Sequence, residues 1–87
     1  MIICKVIGHV WATKKEPNLE GLKLMVVREE HSDKTHVAAD VVGAGIGEKV
    51  LVVSGSTARS VFGGEGSRSV PADMAIVGII DNLDIKE

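Results

Sequence analysis

The chain has 87 residues, a formal net charge of −2 and a pI near 5.9. This length leaves room for one domain, and the slightly acidic balance excludes a broad basic surface that would attract nucleic acid or anionic lipid. Aromatic residues make up only 2% of the chain against 45% for all hydrophobic residues, so we expect an aliphatic core whose valines and isoleucines favour strands. Cys4 is the only cysteine, which excludes an internal disulfide and suits a reducing, cytoplasmic compartment.

Five strands are predicted along the chain. The first covers residues 2–13 and is too short and too often interrupted by polar residues to be a membrane span or a signal peptide. Its alternation places Cys4, Val6, Val10 and Ala12 on one face. The other strands are predicted at residues 22–28, 35–42, 49–53 and 75–81, with a hairpin turn at Ser32-Asp33 between the second and the third.

One short helix is predicted at residues 54–61, directly after the fourth strand. Ser56 is the expected N-cap, because its hydroxyl can accept a hydrogen bond from a backbone amide of the first turn. Residues 14–18 and 63–69 are predicted as loops, the second because of its glycine and serine content. The chain is therefore expected to be one all-β domain, residues 1–87, with a single helix.

Short strands separated by turn signals predict a small five-stranded, OB-like barrel. Three of the strands are apolar on both faces, at residues 24–27, 50–53 and 76–80. An antiparallel strand with one face in water should alternate instead. The helix can cover part of the outer face, and we expect another subunit to cover the rest, since exposed apolar patches usually mark contact surfaces.

The run Gly43-Ala44-Gly45-Ile46-Gly47 is predicted to form a tight corner between the third and fourth strands. A dinucleotide-binding loop needs the spacing G-x-G-x-x-G at the start of a helix. Here the spacing is G-x-G-x-G and a strand-like segment follows. Because glycine permits a positive φ and a close approach of backbones, the run favours a structural corner over a phosphate loop.

The histidines, the cysteine and the acidic residues, which are the residue types that often catalyse reactions or bind metals, do not match the spacing of a known site. Only His31 and His36 are close in sequence, and a closed zinc site needs more ligands than these. Cys4 is predicted to be a small buried hydrophobe. The acidic residues Asp40, Glu48, Asp73 and Asp81 are spread over different elements. We therefore expect no enzyme activity, no metal and no cofactor.

The alternative to a structural protein is an OB-like module that binds single-stranded nucleic acid. Barrels of that kind stack bases on aromatic side chains within a positively charged groove. This chain has one tryptophan, Trp11, one phenylalanine and a net charge of −2. Trp11 alone provides no stacking platform.

Five stretches of the sequence resemble the EutN/CcmL family of bacterial microcompartment shell proteins. They are Lys5-Val6-Ile7-Gly8 with Ala12-Thr13; Leu19-x-Gly21-x-Lys23-Leu24; Ala39-Asp40-Val41-Val42-Gly43-Ala44-Gly45-Ile46-Gly47-Glu48-x-Val50-Leu51; Gly55-Ser56-Thr57-Ala58-Arg59; and Asp73-x-Ala75-Ile76-Val77-Gly78-Ile79-Ile80-Asp81. The resemblance covers nearly the whole chain, and the third and fourth stretches are its most specific parts. Trp11 departs from the family, which has a small aliphatic residue at this place.

The resemblance implies a barrel that assembles as a cyclic homo-pentamer. Such pentamers cap the vertices of a polyhedral shell whose flat faces are hexameric tiles, so the expected location is the shell of a cytoplasmic microcompartment, without nucleic-acid or membrane partners. A five-fold ring uses head-to-tail contacts, so each subunit needs two different contact surfaces. A permanent interface is expected to bury on the order of 2,000 Å² or more.

Two segments are the candidates for the subunit interface or the five-fold axis. The corner contributes Gly43, Ala44, Gly45, Gly47 and Glu48. The turn after the fourth strand contributes Ser54, Gly55, Ser56, Thr57 and Arg59, whose hydroxyls and guanidinium can make specific contacts. The alternative is that both segments are internal corners of the barrel.

Overall fold

The computed structural model describes residues 1–12, 17, 21–61, 72–83 and 85, and for Arg59 it describes the backbone only. The predicted loop at residues 63–69 lies outside the described residues, as do Thr13 and, apart from Pro17, the predicted loop at residues 14–18.

The strands and the helix follow the predicted order along the chain. They are β1 (Ile2–His9), β2 (Lys23–Glu29), β3 (Thr35–Asp40), β4 (Lys49–Ser54), α1 (Gly55–Val61) and β5 (Met74–Ile79). Around the barrel the order is β1-β2-β3-β5-β4, and β4 pairs with β1 to close it. The predicted five-stranded barrel with one short helix is therefore confirmed.

The seam between β3 and β5 differs from the rest of the barrel. All other neighbouring strands are antiparallel, whereas β3 and β5 are parallel and are in register at only two pairs, Ala39 with Ala75 and Asp40 with Ile76. The last strand in the sequence thus enters the sheet between β3 and β4.

A bulge in β1 corrects the alternation predicted for the first strand. The pairing register with β2 shifts between Val6 and Gly8, so that one extra residue breaks the period of two. Cys4 and Val6 are buried as predicted, but Val10 is only half-buried and Ala12 is exposed. The strand also ends at His9, earlier than predicted.

Other boundaries also differ from the predictions: β2, β4 and the start of β5 differ by one residue, and β5 ends at Ile79 rather than at residue 81. β3 ends at Asp40 rather than at residue 42, because the Asp40 carboxylate binds the amides of the next residues and bends the chain. The helix begins at Gly55, so Ser56 lies inside it and the prediction of Ser56 as N-cap is wrong. Gly55 has a φ of +67° at this junction, a conformation that favours glycine.

The core inside the barrel is aliphatic, as its composition predicted. Its buried members are Cys4, Val6, Met25, Val27, Ala38, Ala44, Val50, Val52 and Ile76. Burial raises the pKa of the Cys4 thiol, and the Glu29 and Glu30 charges add to this. Cys4 therefore acts as a small core hydrophobe rather than as a nucleophile.

Helix α1 covers part of the outer face of the sheet. Ala58 packs with Val53 of β4 and Ala75 of β5 in a second buried cluster, so the predicted role of the helix is confirmed. Outside this cover, Ile7 is 37% and Val37 is 50% exposed. The barrel thus leaves apolar side chains on its outer wall.

Candidate functional site

The buried carboxylate of Asp40 holds the glycine corner. Its Oδ1 accepts hydrogen bonds from the amides of Val42 and Gly43 at 3.0 and 3.1 Å, and its Oδ2 accepts one from the amide of Ala44 at 2.8 Å. The Asp40 side chain has no exposed area. A buried charge is costly unless it is paired and hydrogen-bonded, and these amides supply that compensation.

Lys23 closes over the corner from the neighbouring strand. It lies opposite Asp40 in the register of β2 and β3. Its Nζ donates to the carbonyl oxygen of Ala44 at 2.8 Å and lies 3.5 Å from Asp40 Oδ2. The ammonium group therefore compensates the charge of Asp40 and ties β2 to the corner.

Glu48 holds the far side of the corner through Gly45. The amide of Gly45 donates to Glu48 Oε1 at 2.6 Å, and the amide of Glu48 donates to the Gly45 carbonyl at 3.2 Å. A Cβ at Gly45 would lie 3.3 Å from Glu48 Oε1, which is a tight contact. Gly43 and Gly47 have φ values of +81° and +94°. The predicted positive φ is therefore confirmed at Gly43 and Gly47, whereas the close neighbour of Gly45 is a side-chain oxygen rather than the predicted backbone.

The corner is also joined to the barrel wall. The amide of Gly47 donates to the Val6 carbonyl at 2.8 Å, and the amide of Val6 donates to the Glu48 carbonyl at 3.0 Å. Ala44 is fully buried in the core. The backbone of the corner and the Ala44 side chain thus serve the barrel itself.

Apolar side chains of the corner nevertheless point into solvent. Val41 is 46%, Val42 39% and Ile46 60% exposed. We call these three residues the corner rim. Their backbone is fixed by Asp40 and Glu48, so the rim is a preformed apolar surface of the kind that marks protein contacts.

The second predicted segment lies on a different part of the surface. Ser54, Gly55, Ser56 and Thr57 are exposed at the end of β4 and the start of α1. The helix is anchored by the buried Ala58, and the side chain of Arg59 lies outside the described structure. Across the residues that the structure describes, no side-chain hydrogen bond or salt bridge joins this segment to the corner.

The hydrogen bonds between Asp40 and the corner amides were not predicted from the sequence. The acidic residues were expected to lie on different elements without a common role. A signal was present, since an aspartate that ends a strand shortly before a glycine often accepts hydrogen bonds from the amides that follow it. The contribution of Lys23 gave no local signal, because Lys23 and Ala44 are brought together only by strand pairing.

The two histidines that are close in sequence have different environments. His36 Nε2 lies 2.6 Å from Glu29 Oε2 and is half-buried, whereas His31 is exposed. The described residues contain no group of three or more His, Cys, Asp or Glu side chains that could hold a metal ion. None of the described helices combines the length and the apolar character that crossing a membrane requires.

The outer face of β2 and β3 is unsuited to stacking bases. OB-folds bind oligonucleotides through strands 2 and 3, but here Val26 and Val37 pair across these strands, and neither strand carries Phe, Trp or Tyr. Trp11 is 88% exposed and stacks on His9, with ring centroids 5.5 Å apart. His9 is the last residue of β1 and Trp11 follows two residues later, so neither residue of this stack belongs to β2 or β3.

Comparison with known proteins identifies the family. The family model described as ethanolamine utilisation protein EutN/carboxysome matches residues 1–81. The carboxysome shell vertex protein CcmL of Synechocystis sp. is 44% identical over 90 residues, covering 98% of this chain and 87% of that protein. The shell vertex protein PduN of Salmonella typhimurium is 42% identical over 92 residues, covering 95% and 98% respectively.

A solved structure agrees with these matches. The GrpN pentameric microcompartment shell protein from Rhodospirillum rubrum superposes with a TM-score of 0.85 at 38% identity, covering 100% of both chains. The matches in sequence and in structure extend over the barrel, the glycine corner and the helix. The chain therefore belongs to the EutN/CcmL family of microcompartment shell proteins.

Proposed function

We propose that this chain is a structural shell protein that forms cyclic pentamers at the vertices of a bacterial microcompartment. The observation that carries this proposal is the match of the whole chain to a pentameric shell protein and to shell vertex proteins. These relatives favour a structural role over the nucleic-acid-binding alternative, and the lack of aromatic residues on the outer face of β2 and β3 agrees with them.

The function of a vertex protein follows from geometry rather than from catalysis. Hexagonal tiles pack into a flat layer, and a layer of hexagons closes into a polyhedron only when pentagons occupy its corners. A pentamer of this chain supplies that curvature. Its partners are accordingly other copies of itself and the hexameric shell proteins around it, and its place is the shell of a compartment within the cytoplasm.

The head-to-tail ring needs two different contact surfaces on each subunit. The corner rim and the exposed face of α1 meet this requirement, because they are separate surfaces that are each held by internal contacts. In this arrangement Gly43, Gly45, Gly47 and Glu48 shape the rim. Ser54, Gly55, Ser56, Thr57 and Arg59 present the second surface to the neighbouring subunit.

Native mass spectrometry of the purified chain at micromolar concentration tests the pentamer. We expect a dominant species of five subunits, and a strict monomer would contradict the proposal. Co-expression with a hexameric shell protein tests the vertex role separately. Closed polyhedral particles that contain both proteins are expected, whereas sheets or tubes that exclude this chain would contradict its place at the vertices.

A further inference from the structure

Trp11 has the largest exposed fraction of the large hydrophobic residues that the structure describes, at 88%. Its indole does not point freely into water, because it stacks on the His9 ring with 5.5 Å between the ring centroids and 27° between the ring planes. An exposed aromatic side chain in a held orientation offers a large contact area at a low cost in conformational entropy. Trp11 therefore has the properties of a contact residue rather than of a core residue.

Trp11 lies at the end of the barrel where the corner begins. The chain runs alongside β2 up to Val10, whose amide donates to the Leu24 carbonyl at 2.9 Å. Lys23, the residue before Leu24, lies opposite Asp40, where β3 ends and the corner starts. Only β2 separates these two points, so they are about 10 Å apart at the usual strand spacing of about 4.8 Å. One partner can therefore contact both Trp11 and the corner.

The corner rim alone is too small for a permanent contact. Its three side chains, Val41, Val42 and Ile46, are between 39% and 60% exposed. A permanent interface buries on the order of 1,000 Å² or more of each subunit, which three partly exposed aliphatic side chains do not supply. A single aromatic side chain adds about 150–250 Å², so a contact that includes the corner rim gains substantially by including Trp11.

We propose that Trp11 and the corner rim form one contact surface, which the neighbouring subunit of the pentamer covers. This inference rests on the proposed pentamer and extends the surface that the corner rim contributes to it. A second copy of the chain is the occupant because Trp11 adjoins a surface of the proposed head-to-tail contact. Contacts of this permanent kind are the most apolar ones, and aromatic residues are enriched at their centres.

The chemistry of tryptophan suits this role. The indole combines a large apolar face with an N–H donor, and tryptophan is among the residues whose truncation weakens interfaces most. The stack on His9 limits the orientations of the indole before assembly, so less conformational entropy is lost when the neighbour covers it. His9 is accordingly a positioning residue for Trp11.

The fluorescence of the wild-type chain tests this contact directly, because Trp11 is the only tryptophan and the chain contains no tyrosine. Acrylamide quenching compares the pentamer with N-acetyltryptophanamide, whose indole is fully exposed. We expect the pentamer to lose most of this quenching and to emit at a shorter wavelength. Under dilution, both signals should return toward those of the free compound as native mass spectrometry reports dissociation into monomers.

Substitutions at the same position test the energetic contribution. Trp11→Ala should raise the concentration at which the pentamer dissociates by at least about tenfold. Trp11→Phe keeps an aromatic ring and should dissociate at a concentration between those of the wild type and Trp11→Ala. The matched control is Val37→Ala, at a 50% exposed residue of the outer wall outside the proposed surface, which should stay within about threefold of the wild type.

Circular dichroism verifies that each variant folds, as expected for a side chain that is exposed in the single subunit. If Trp11→Ala fails to fold, the quenching of the wild-type pentamer still decides the question, because it needs no variant.

The outcomes distinguish this inference from the proposed function. A wild-type pentamer whose Trp11 is quenched as strongly as the free compound would overturn the contact and leave the pentamer intact. Protection that appears only after a hexameric shell protein is added would also overturn it, since the tile would then be the occupant. A wild-type chain that forms no pentamer would overturn the proposed function, and this contact with it.

Discussion

Asp40 is the residue that fixes the shape of the corner, and its removal should be costly. Asp40→Ala leaves the amides of Val42, Gly43 and Ala44 without their acceptor, and it leaves the Lys23 ammonium without its counterion. We expect the free energy of unfolding to fall by about 3 kcal/mol, since hydrogen bonds to charged groups are among the stronger ones. Urea denaturation at a fixed protein concentration measures this.

Two further variants serve as comparisons for the unfolding free energy of Asp40→Ala. Asp40→Asn keeps an oxygen acceptor but loses the charge, and it should cost roughly half as much as Asp40→Ala. Asp33→Ala removes an exposed aspartate and should change the unfolding free energy by no more than about 0.5 kcal/mol. Equal losses for Asp33→Ala and Asp40→Ala would contradict the role of the amide bonds.

Glu29 should make the stability of the barrel sensitive to acid. The hydrogen bond with His36 holds the pKa of the Glu29 carboxyl below its ordinary value of 4.5. The unfolded chain therefore binds the proton first, so this stabilisation is present above pH 4.5 and is lost as the pH falls through the lowered pKa. Glu30 behaves in the same direction, because the hydrogen bond from Lys49 lowers its pKa.

Unfolding midpoints measured against pH test this linkage. Glu29→Gln should be less stable than the wild type at neutral pH, and the difference should shrink once the pH falls below 4.5. Asp33→Asn serves as the control at an exposed carboxylate. If the stability difference between the wild type and Glu29→Gln stays constant as the pH falls below 4.5, the carboxylate charge is not involved.

Replacing a glycine of the corner by alanine should cost more stability than replacing a glycine of a strand. Gly47→Ala places a side chain at a φ of +94° with no neighbour within 4 Å, so its cost is backbone strain of about 1–2 kcal/mol. Gly78→Ala in β5 meets Leu51 Cβ at an ordinary 3.8 Å and should cost less than about 0.5 kcal/mol. Thermal unfolding compares the two, and a larger loss for Gly78→Ala would contradict this assignment.

Local sequence patterns predicted which secondary-structure elements are present better than they predicted the residues at which these elements end. Apolar stretches rich in β-branched residues located most of the strands, because these side chains suit a pleated, half-buried surface, although β3 contains only one valine. The end of β1 was misplaced, since Val10 and Trp11 remain apolar after the strand has ended and the bulge near Ile7 has no signature in a single sequence. The parallel seam between β3 and β5 depends on long-range pairing, which periodicity does not contain.

The glycine corner was predicted from the sequence, but the contacts that hold it were not. The glycines marked the corner, and their conformations explain why glycine is used. The hydrogen bonds of the buried Asp40 carboxylate and the bond from Lys23 to the Ala44 carbonyl form only when β2, β3 and the corner are assembled. The exposure of the corner rim likewise depends on which side chains the completed barrel takes into its core.

The assembled ring should depend on both proposed surfaces. Ile46→Asp introduces a charge at a 60% exposed position of the corner rim, so the barrel should fold normally while the pentamer weakens, because a charge is costly in an apolar contact. Arg59→Ala removes the guanidinium of the second surface and should also weaken the pentamer. Native mass spectrometry over a dilution series reports the fraction of five-subunit species.

The matched control for both ring variants is Lys34→Ala, at an exposed residue of the hairpin between β2 and β3. It should dissociate at the same concentration as the wild type. Full-strength pentamers from Arg59→Ala would remove Arg59 from the interface, and full-strength pentamers from Ile46→Asp would place the corner rim outside it.

The narrow β3–β5 seam governs when this protein becomes able to assemble. β5 inserts between β3 and β4 and leaves the ribosome after both of them. Until it arrives, the nascent sheet keeps two unpaired edges, and such edges readily join other chains. When two identical unfinished chains meet, the interval between the synthesis of β4 and the arrival of β5 is the period in which strand exchange competes with ring formation. Slower translation of that interval should therefore increase misassembly without changing the stability of the finished barrel.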